Sequence, residues 1–225
     1  QLSSCIALPT CLTSVRPSTP LALSSNKQLY NHMATAPASL DRSKTKVIIL
    51  PGNGCTPIMR CNWYAWLQKT VESELGVPCI LKEMPDPMLA RENIWLPFIR
   101  DELGADVNSI LVGHSSGAEA AMRLAETQRV GGLVLVAACH TDLGVETETI
   151  AGYYNRPWDW ERIRGNCGFV VQFADTDDPF IPFHEAQTVH SGLSSELLAS
   201  TRGDHFMVSA LPELLLPLRA RIPPA

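Results

Sequence analysis

Ser115 stands at the centre of a Gly-x-Ser-x-Gly pattern, Gly113-His114-Ser115-Ser116-Gly117, and is the first candidate for chemistry. The pattern follows an apolar, β-branched run and precedes an alanine-rich stretch, which is the strand, turn and helix setting of a nucleophile elbow. A sharp turn holds the serine of such an elbow outward, and side chains at the two glycine positions would collide with the strand or the helix. The pattern therefore predicts that Ser115 is a nucleophile.

A serine hydroxyl is a weak nucleophile unless a base accepts its proton, so a histidine is required. The six histidines are His32, His114, His140, His184, His190 and His205. Where this serine motif carries a triad, the chain order is serine, acid, histidine, and His205 is the last histidine. We therefore predict that His205 is the base, and an ordinary surface or core position is favoured for the other five.

A carboxylate must orient the imidazole and stabilise its cation, and it should lie in a loop between Ser115 and His205. Four candidates follow predicted strands in this part of the chain: Asp142, Asp175, Asp177 and Asp178. Neighbouring carboxylates in loops are often only turn formers, so spacing alone leaves all four open.

Charge that develops on a substrate oxygen needs two hydrogen-bond donors. The backbone N–H of Ser116, the residue after the nucleophile, is the first candidate donor. The second should come from the glycine-rich turn Pro51-Gly52-Asn53-Gly54, where we predict the N–H of Asn53, with Gly54 as the alternative. This turn lacks both Gly-x-Gly-x-x-Gly and the P-loop lysine, so a nucleotide site is excluded.

From Lys46 onward, short β-branched runs alternate with longer helical stretches, which predicts a parallel sheet covered by helices on both faces. The predicted strands are Val47–Leu50, Cys79–Lys82, Ile110–Val112, Leu133–Ala137, Phe169–Phe173 and Glu196–Ala199. The predicted helices are Trp63–Leu75, Glu92–Leu103 with a kink at Pro97, Ala118–Gln128, Glu185–Leu193 and Ala210–Leu218. We expect the long stretch His140–Cys167 to be irregular and to form a cap or a surface excursion.

The first 40 residues contain neither Asp nor Glu and show no periodic apolar pattern, so we predict a disordered or non-native tail over residues 1–45 and a domain over 46–225. The serine-rich composition suits an organellar transit peptide. Such peptides are arginine-rich, however, and the first 40 residues contain only one arginine, Arg16, and one lysine, Lys27. Because the chain begins with Gln and Met33 opens a plausible start, we expect residues 1–32 to be untranslated or dispensable.

Composition narrows the possible partners and the compartment. Removing Arg16 and Lys27 from 18 basic residues leaves 16 against 23 acidic ones, a net charge of −7 after residue 40, which argues against nucleic acid. The longest apolar run, Leu133 to Cys139, is too short to cross a membrane, so no membrane partner is expected. Seven cysteines without a Cys-x-x-Cys pair argue against a metal site and favour buried thiols in a reducing compartment, the cytoplasm and also the nucleus.

Several segments together resemble the retinoblastoma-binding protein 9 family of small serine hydrolases. They are Pro51-Gly-Asn-Gly54, the segment from Met84 to Phe98, Gly113-His-Ser-Ser-Gly117, Arg156-Pro-Trp-Asp-Trp160 and Thr176-Asp-Asp-Pro-Phe180, and the resemblance spans about Lys46 to Pro223. It implies a minimal α/β-hydrolase fold of about six mostly parallel strands without a large lid domain. It also implies a triad of Ser115, Asp178 and His205 and no cofactor. Asp178 is favoured because Asp-x-x-Ile-Pro resembles the acid loop common among such hydrolases.

One departure concerns the partner for which the family is named. The family's namesake carries a Leu-x-Cys-x-Glu motif of the kind that retinoblastoma-type pocket proteins recognise, whereas this chain reads Leu103-Gly-Ala-Asp-Val107. Cysteine and glutamate are both absent, so binding to pocket proteins is not expected.

Two classes of function compete. The chain is either a hydrolase of small esters, thioesters or amides that acts through an acylated Ser115, or a non-catalytic interaction module on a hydrolase scaffold. The full candidate triad favours the enzyme. Six aromatic residues are candidates for lining an apolar acyl pocket, although core packing explains most of them equally well: Trp63, Tyr64, Trp66, Trp95, Trp158 and Trp160.

Overall fold

A six-stranded, wholly parallel sheet forms the centre of the molecule, for which a computed structural model describes residues 40–224. The strands are β1 (Lys46–Leu50), β2 (Cys79–Ile80), β3 (Ser109–His114), β4 (Gly132–Val136), β5 (Val170–Asp175) and β6 (Glu196–Ser200). Their order across the sheet is β2-β1-β3-β4-β5-β6, and all six predicted strands are confirmed with shifted ends.

The sheet is covered on both faces because alternate side chains of its strands enter two separate hydrophobic cores. Val47, Ile49 and Val112 pack on one side, whereas Ile48 and Leu111 pack on the other. Full burial of an aliphatic side chain of this size contributes about 1.5–3 kcal/mol, so the near-continuous apolar runs stabilise both layers. The predicted three-layer α/β architecture is confirmed.

Seven α-helices lie within the described residues. They are α1 (Tyr64–Thr70), α2 (Glu92–Pro97), α3 (Ser116–Ala125), α4 (Glu146–Ala151), α5 (Trp160–Asn166), α6 (Phe183–Leu193) and α7 (Leu215–Arg221). Short 3-10 turns occupy Ile58–Arg60 and Pro212–Leu214. The first two helices continue as π-helical turns, Val71–Leu75 and Phe98–Glu102. The second of these begins directly after Pro97, where the missing N–H prevents an ordinary helical bond.

The stretch from His140 to Cys167 differs from the prediction. We expected irregular chain, but the stretch contains α4 and α5. The buried Arg123 of α3 holds the segment between these helices, because its guanidinium donates hydrogen bonds to the backbone oxygens of Tyr153, Arg156 and Pro157. A buried guanidinium that donates hydrogen bonds to several carbonyl groups can fix a segment whose sequence has no periodic apolar pattern.

The topology predicts where a site should form. The chain passes from β1 to β2 at one side and then crosses to β3 at the other side of β1, so the strand order reverses between β1 and β3. In open parallel sheets, ligands bind outside the carboxyl ends of the strands at such a switch point. The turn after β1 and the elbow after β3 both lie there.

The predicted tail falls mainly outside the described residues, which begin at Leu40. From there the chain contacts the domain: Arg42 donates a hydrogen bond to the Leu75 oxygen at 2.6 Å, and Thr45 is buried. The packed part therefore begins before Lys46, the predicted boundary. Within residues 40–224, none of the helices has the length and apolar character that crossing a bilayer requires.

Candidate active site

Ser115 occupies a strained turn between β3 and α3. Its backbone has φ 52° and ψ −126°, a conformation that residues with a side chain rarely adopt, and its N–H donates to the Val136 oxygen at 2.9 Å. The helix begins at the next residue, so the first N–H groups of α3 have no intrahelical acceptor. This is the geometry that the sequence pattern predicts for a nucleophile elbow.

The two motif glycines are required by close backbone packing. A Cβ atom on Gly113 would lie 2.4 Å from the Gly117 oxygen, and one on Gly117 would lie 2.2 Å from the Leu50 oxygen. Real Cβ atoms essentially never come this close to other heavy atoms, so larger residues would push the elbow away from β1 or α3. The collisions predicted for the flanking positions are confirmed.

His205 and Asp178 form a short, buried pair. The distance from His205 Nδ1 to Asp178 Oδ2 is 2.7 Å, and the two side chains are 8% and 2% exposed. The other oxygen, Oδ1, accepts hydrogen bonds from the N–H groups of Phe180 at 2.8 Å and Ile181 at 3.0 Å. Burial opposes ionisation, but the bonds from His205 and these N–H groups outweigh it and hold the pKa of Asp178 below its usual value.

This pairing assigns the protons of the imidazole. An ionised carboxylate only accepts, so Nδ1 of His205 carries the hydrogen and Nε2 is left as the acceptor that a general base needs. Ser115 and His205 line the same cavity, although no hydrogen bond joins Ser115 Oγ to His205 within residues 40–224. Such bonds commonly tighten only when substrate binds.

The other candidate carboxylates have different partners. Asp175 accepts from the N–H groups of Asp177, Arg202 and Gly203, so it fixes the end of β5 to the loop after β6. Asp177 is exposed. Asp142 accepts from the Gly144 N–H at 3.0 Å and the Thr149 hydroxyl at 2.7 Å, which stabilise a turn. Of the four candidates, only Asp178 is hydrogen-bonded to His205.

The turn that carries the predicted donor Asn53 lies beside Ser115, and the other predicted donor, Ser116, is the next residue in the chain. Gly52 and Asn53 line the cavity together with Ser115, and the Asn53 side chain donates to Glu148 Oε1 at 3.0 Å. The alternative donor is wrong, because the N–H of Gly54 is occupied by the Pro87 oxygen at 2.7 Å. The backbone N–H of Asn53 has no such partner among the described residues, and Ser116 begins α3.

The cavity has a volume of about 490 Å³ and opens beside Ser115. Apolar side chains from two segments contribute to its wall: Leu143, Val145, Phe180 and Ile181. The first two belong to the stretch after β4, so this stretch forms part of the wall of the cavity. None of the six aromatic residues proposed as pocket residues lines the cavity; Trp63, Tyr64 and Trp95 are buried in the cores.

Two glutamates at the cavity were missed by the sequence analysis. Glu119 is buried on α3 and accepts the Cys139 N–H at 2.8 Å, and burial raises its pKa well above the usual value. Burial also raises the pKa of Glu148, although the hydrogen bond from Asn53 acts to lower it. The only signal for Glu119 was its place one helical turn after Ser115, where a charged residue interrupts an alanine-rich helix.

The thiols at the cavity are poor competitors for the role of nucleophile. Burial raises the pKa of Cys55 to about 11, and burial also raises the pKa of Cys139. A thiol attacks as its thiolate, which is scarce at neutral pH under these conditions. Within residues 40–224 the five cysteines are free, and no group of three or more His, Cys, Asp or Glu residues is arranged to hold a metal ion.

Comparisons with known proteins match most of the chain. A family model described as "Serine hydrolase" matches residues 47–211. The Rattus norvegicus protein "Serine hydrolase RBBP9" is 46% identical over 183 residues, which cover 81% of this chain and 98% of that protein. The resemblance found in the sequence is confirmed.

Solved structures share the fold. The ydeN gene product of B. subtilis superposes with a TM-score of 0.71 at 23% identity, covering 79% of this chain and 98% of that one. A lipase-esterase related protein from Clostridium acetobutylicum gives a TM-score of 0.60 at 12% identity, covering 82% and 97%. The α/β-hydrolase fold is therefore common to these chains.

Proposed function

Because the chain belongs to the serine hydrolase family, we propose that it hydrolyses small esters, thioesters or amides through an acyl intermediate on Ser115. One observation carries the proposal: the pair formed by Asp178 and His205 opens onto the same cavity as the strained elbow of Ser115.

The first half of the proposed reaction is the attack. Ser115 Oγ bonds to the carbonyl carbon of the substrate while His205 Nε2 takes the hydroxyl proton. Asp178 stabilises the resulting imidazolium through its short bond to Nδ1. The negative charge that forms on the carbonyl oxygen is met by the N–H groups of Ser116 and Asn53.

The second half releases the products. The proton on His205 Nε2 passes to the leaving alcohol, thiol or amine as its bond to the acyl carbon breaks. Water then attacks the acyl carbon and gives a proton to Nε2, and this proton passes to Ser115 Oγ as its bond to the acyl carbon breaks and the free acid leaves. The reaction uses only side chains and water, so we propose no cofactor.

A small acyl compound is the proposed substrate. The cavity has room for a small group, and apolar side chains such as Leu143, Val145 and Ile181 form part of its wall, which suits a short acyl chain. We propose no nucleic-acid, membrane or pocket-protein partner, since the acidic domain and the altered Leu103–Val107 segment supply no recognition feature for them. The proposed compartment is the reducing cytoplasm.

The experiment measures hydrolysis of a panel of p-nitrophenyl esters and aminoacyl-coumarin amides by the wild-type protein, Ser115→Ala and Ser116→Ala. We expect the wild-type protein to turn over at least one class of substrate, and Ser115→Ala to lose kcat by about 10⁴-fold or more. Ser116→Ala should retain activity because its proposed contribution is a backbone N–H. An active Ser115→Ala variant would contradict the proposal.

A further inference from the structure

A chain of buried hydrogen bonds connects the turn after β1 with the loop that carries His205. Tyr64 Oη lies 2.6 Å from His114 Nδ1 and accepts the N–H of Gly52 at 3.0 Å. His114 Nε2 lies 3.0 Å from the backbone oxygen of His205. We call these four residues, Gly52, Tyr64, His114 and His205, the buried bridge.

The direction of every hydrogen bond in the buried bridge follows from the carbonyl group at its end. A carbonyl oxygen only accepts, so His114 Nε2 must carry a hydrogen and His114 Nδ1 must accept one from the Tyr64 hydroxyl. Burial, together with the charge of a protonated His205, lowers the pKa of His114 to about 3, so this ring stays neutral. Both of its nitrogens are occupied, and His114 therefore cannot serve as the base for the adjacent Ser115.

Packing fixes the rings of the buried bridge. Tyr64 and His114 are 0% and 2% exposed. Trp63 contacts both rings, with centroid distances of 4.8 Å to Tyr64 and 5.8 Å to His114. A Cβ atom on Gly52 would lie 3.4 Å from Ser115 Cβ, so the turn already lies against the elbow. Because these rings are tightly packed, they hold the groups to which they are hydrogen-bonded at a fixed separation.

Both ends of the buried bridge lie next to groups used in the proposed reaction. Gly52 precedes Asn53, whose N–H is the proposed oxyanion donor. At the other end, His205 and the following Phe206 have φ values of 49° and 55°, a left-handed conformation that needs support from its surroundings. The bond from His114 to the His205 carbonyl supplies that support.

We propose that Tyr64 and His114 are positioning residues that hold the oxyanion turn and the loop of the base at a fixed separation around Ser115. This inference rests on the proposed hydrolase function. Donors and bases that are correctly placed act mainly in the transition state, so loosening them should lower kcat more than it raises KM.

The test compares Tyr64→Phe with Tyr153→Phe, a matched control. Tyr153 is equally buried and its hydroxyl also donates one hydrogen bond, to the Ala90 oxygen at 2.7 Å, but it is not part of the buried bridge. We expect Tyr64→Phe to lower kcat about tenfold or more with KM changed less than about threefold, as for a lost buried hydrogen bond. Tyr153→Phe should keep both constants while losing a similar amount of thermal stability.

His114 is tested by a pair of variants. His114→Gln keeps an amide N–H for the His205 carbonyl, whereas His114→Leu keeps only volume, so Gln should retain at least about tenfold more of kcat. In the double variant Tyr64→Phe/His114→Gln, the two losses should not multiply, because both act through one chain of bonds. Multiplying losses, or equal kcat for Gln and Leu, would overturn the proposal.

Ser115→Ala, measured in the same assay, distinguishes a failure of the positioning role of the buried bridge from a failure of the proposed function. If Ser115→Ala is inactive while Tyr64→Phe hydrolyses substrate like Tyr153→Phe, the buried bridge has no positioning role and the proposed function stands. If Ser115→Ala hydrolyses substrate at the wild-type rate, the proposed function itself fails and the buried bridge fails with it.

Discussion

The aspartates after β5 show how neighbouring carboxylates acquire different roles from their hydrogen-bond partners. Asp175 is surrounded by backbone donors of the loop after β6, Asp177 faces solvent, and Asp178 meets His205 at 2.7 Å. Only the last arrangement can orient an imidazole. The identity of the proposed acid therefore depends on which strand end the loop of His205 approaches.

Asp178→Asn should leave the fold intact and lower kcat strongly, up to about 10⁴-fold at neutral pH. An amide can donate to Nδ1 and so stabilise the wrong tautomer, and it carries no charge to stabilise the imidazolium. The measurement is kcat/KM on whichever substrate the wild-type protein cleaves best.

The matched controls for this substitution are Asp177→Asn and Asp142→Asn, which should each cost far less. The Asp177 side chain faces solvent, and an amide at position 142 keeps an oxygen that can accept a turn hydrogen bond. If either control proves the most damaging of the three in a folded protein, Asp178 is not the orienting acid.

The sequence predicts some residues of the candidate site and not others. Ser115 was predictable from its motif and His205 from chain order, but Asp178 needed a family resemblance because spacing left four carboxylates open. The positioning roles proposed for Tyr64 and His114 and the place of Glu119 at the cavity were not predicted, since they depend on burial and on partners distant in the chain. His114 bonds to a residue 91 positions away.

The elbow is an element whose shape depends on the absence of two side chains. Gly113 lies against the start of α3, and Gly117 lies against the end of β1. The contacts of Gly117 are with backbone atoms of Leu50 and Pro51, which cannot rotate away as a side chain could. The helix therefore approaches the sheet more closely than any residue with a Cβ atom would allow.

Gly117→Ala should destabilise the protein by about 1–3 kcal/mol or more, because the added methyl group overpacks this contact. Urea denaturation gives the free energy of unfolding. The matched substitution is Gly165→Ala in α5, where an added Cβ meets no atom within 4 Å. It should be neutral or stabilising by up to about 1 kcal/mol. Equal effects of the two substitutions would refute the packing account of the motif.

Among the elements, those with strong local patterns were predictable and those fixed by tertiary contacts were not. All six strands carry apolar runs and were located to within a few residues. The helices α4 and α5 were missed because both are short, six and seven residues long, and contain few apolar residues. The backbone of the segment between them is fixed by hydrogen bonds from the buried Arg123 and not by a periodic pattern of apolar residues.

At the scale of the molecule, sheet order brings distant parts of the chain to one cavity. Asn53, Ser115, Asp178 and His205 follow β1, β3, β5 and β6, and these strands are parallel, so their carboxyl ends face the same edge. The reversal of strand order between β1 and β3 leaves room for a cavity beside Ser115. The pattern of alternating strands and helices predicted the parallel sheet, but it did not predict the order of the strands.

A shortened chain that begins at Met33 should retain the thermal midpoint and hydrolase activity of the full chain, because the sequence of residues 1–32 has no periodic apolar pattern that could pack on the domain. A chain that begins at Lys46 should melt about 5–10 °C lower, since it loses the Arg42 hydrogen bonds to the Leu75 and Pro223 oxygens and the buried Thr45. Thermal unfolding followed by circular dichroism distinguishes the two. A large loss for the Met33 chain, or none for the Lys46 chain, would contradict this boundary.

The most direct test of the central claim is to locate the adduct that a fluorophosphonate probe forms with the protein. The wild-type protein and Ser116→Ala should each carry one adduct, which peptide fragmentation by mass spectrometry places on Ser115, and Ser115→Ala should carry none. An adduct on another residue of the wild-type protein, or labelling that survives Ser115→Ala, would contradict the assignment of Ser115 as the nucleophile.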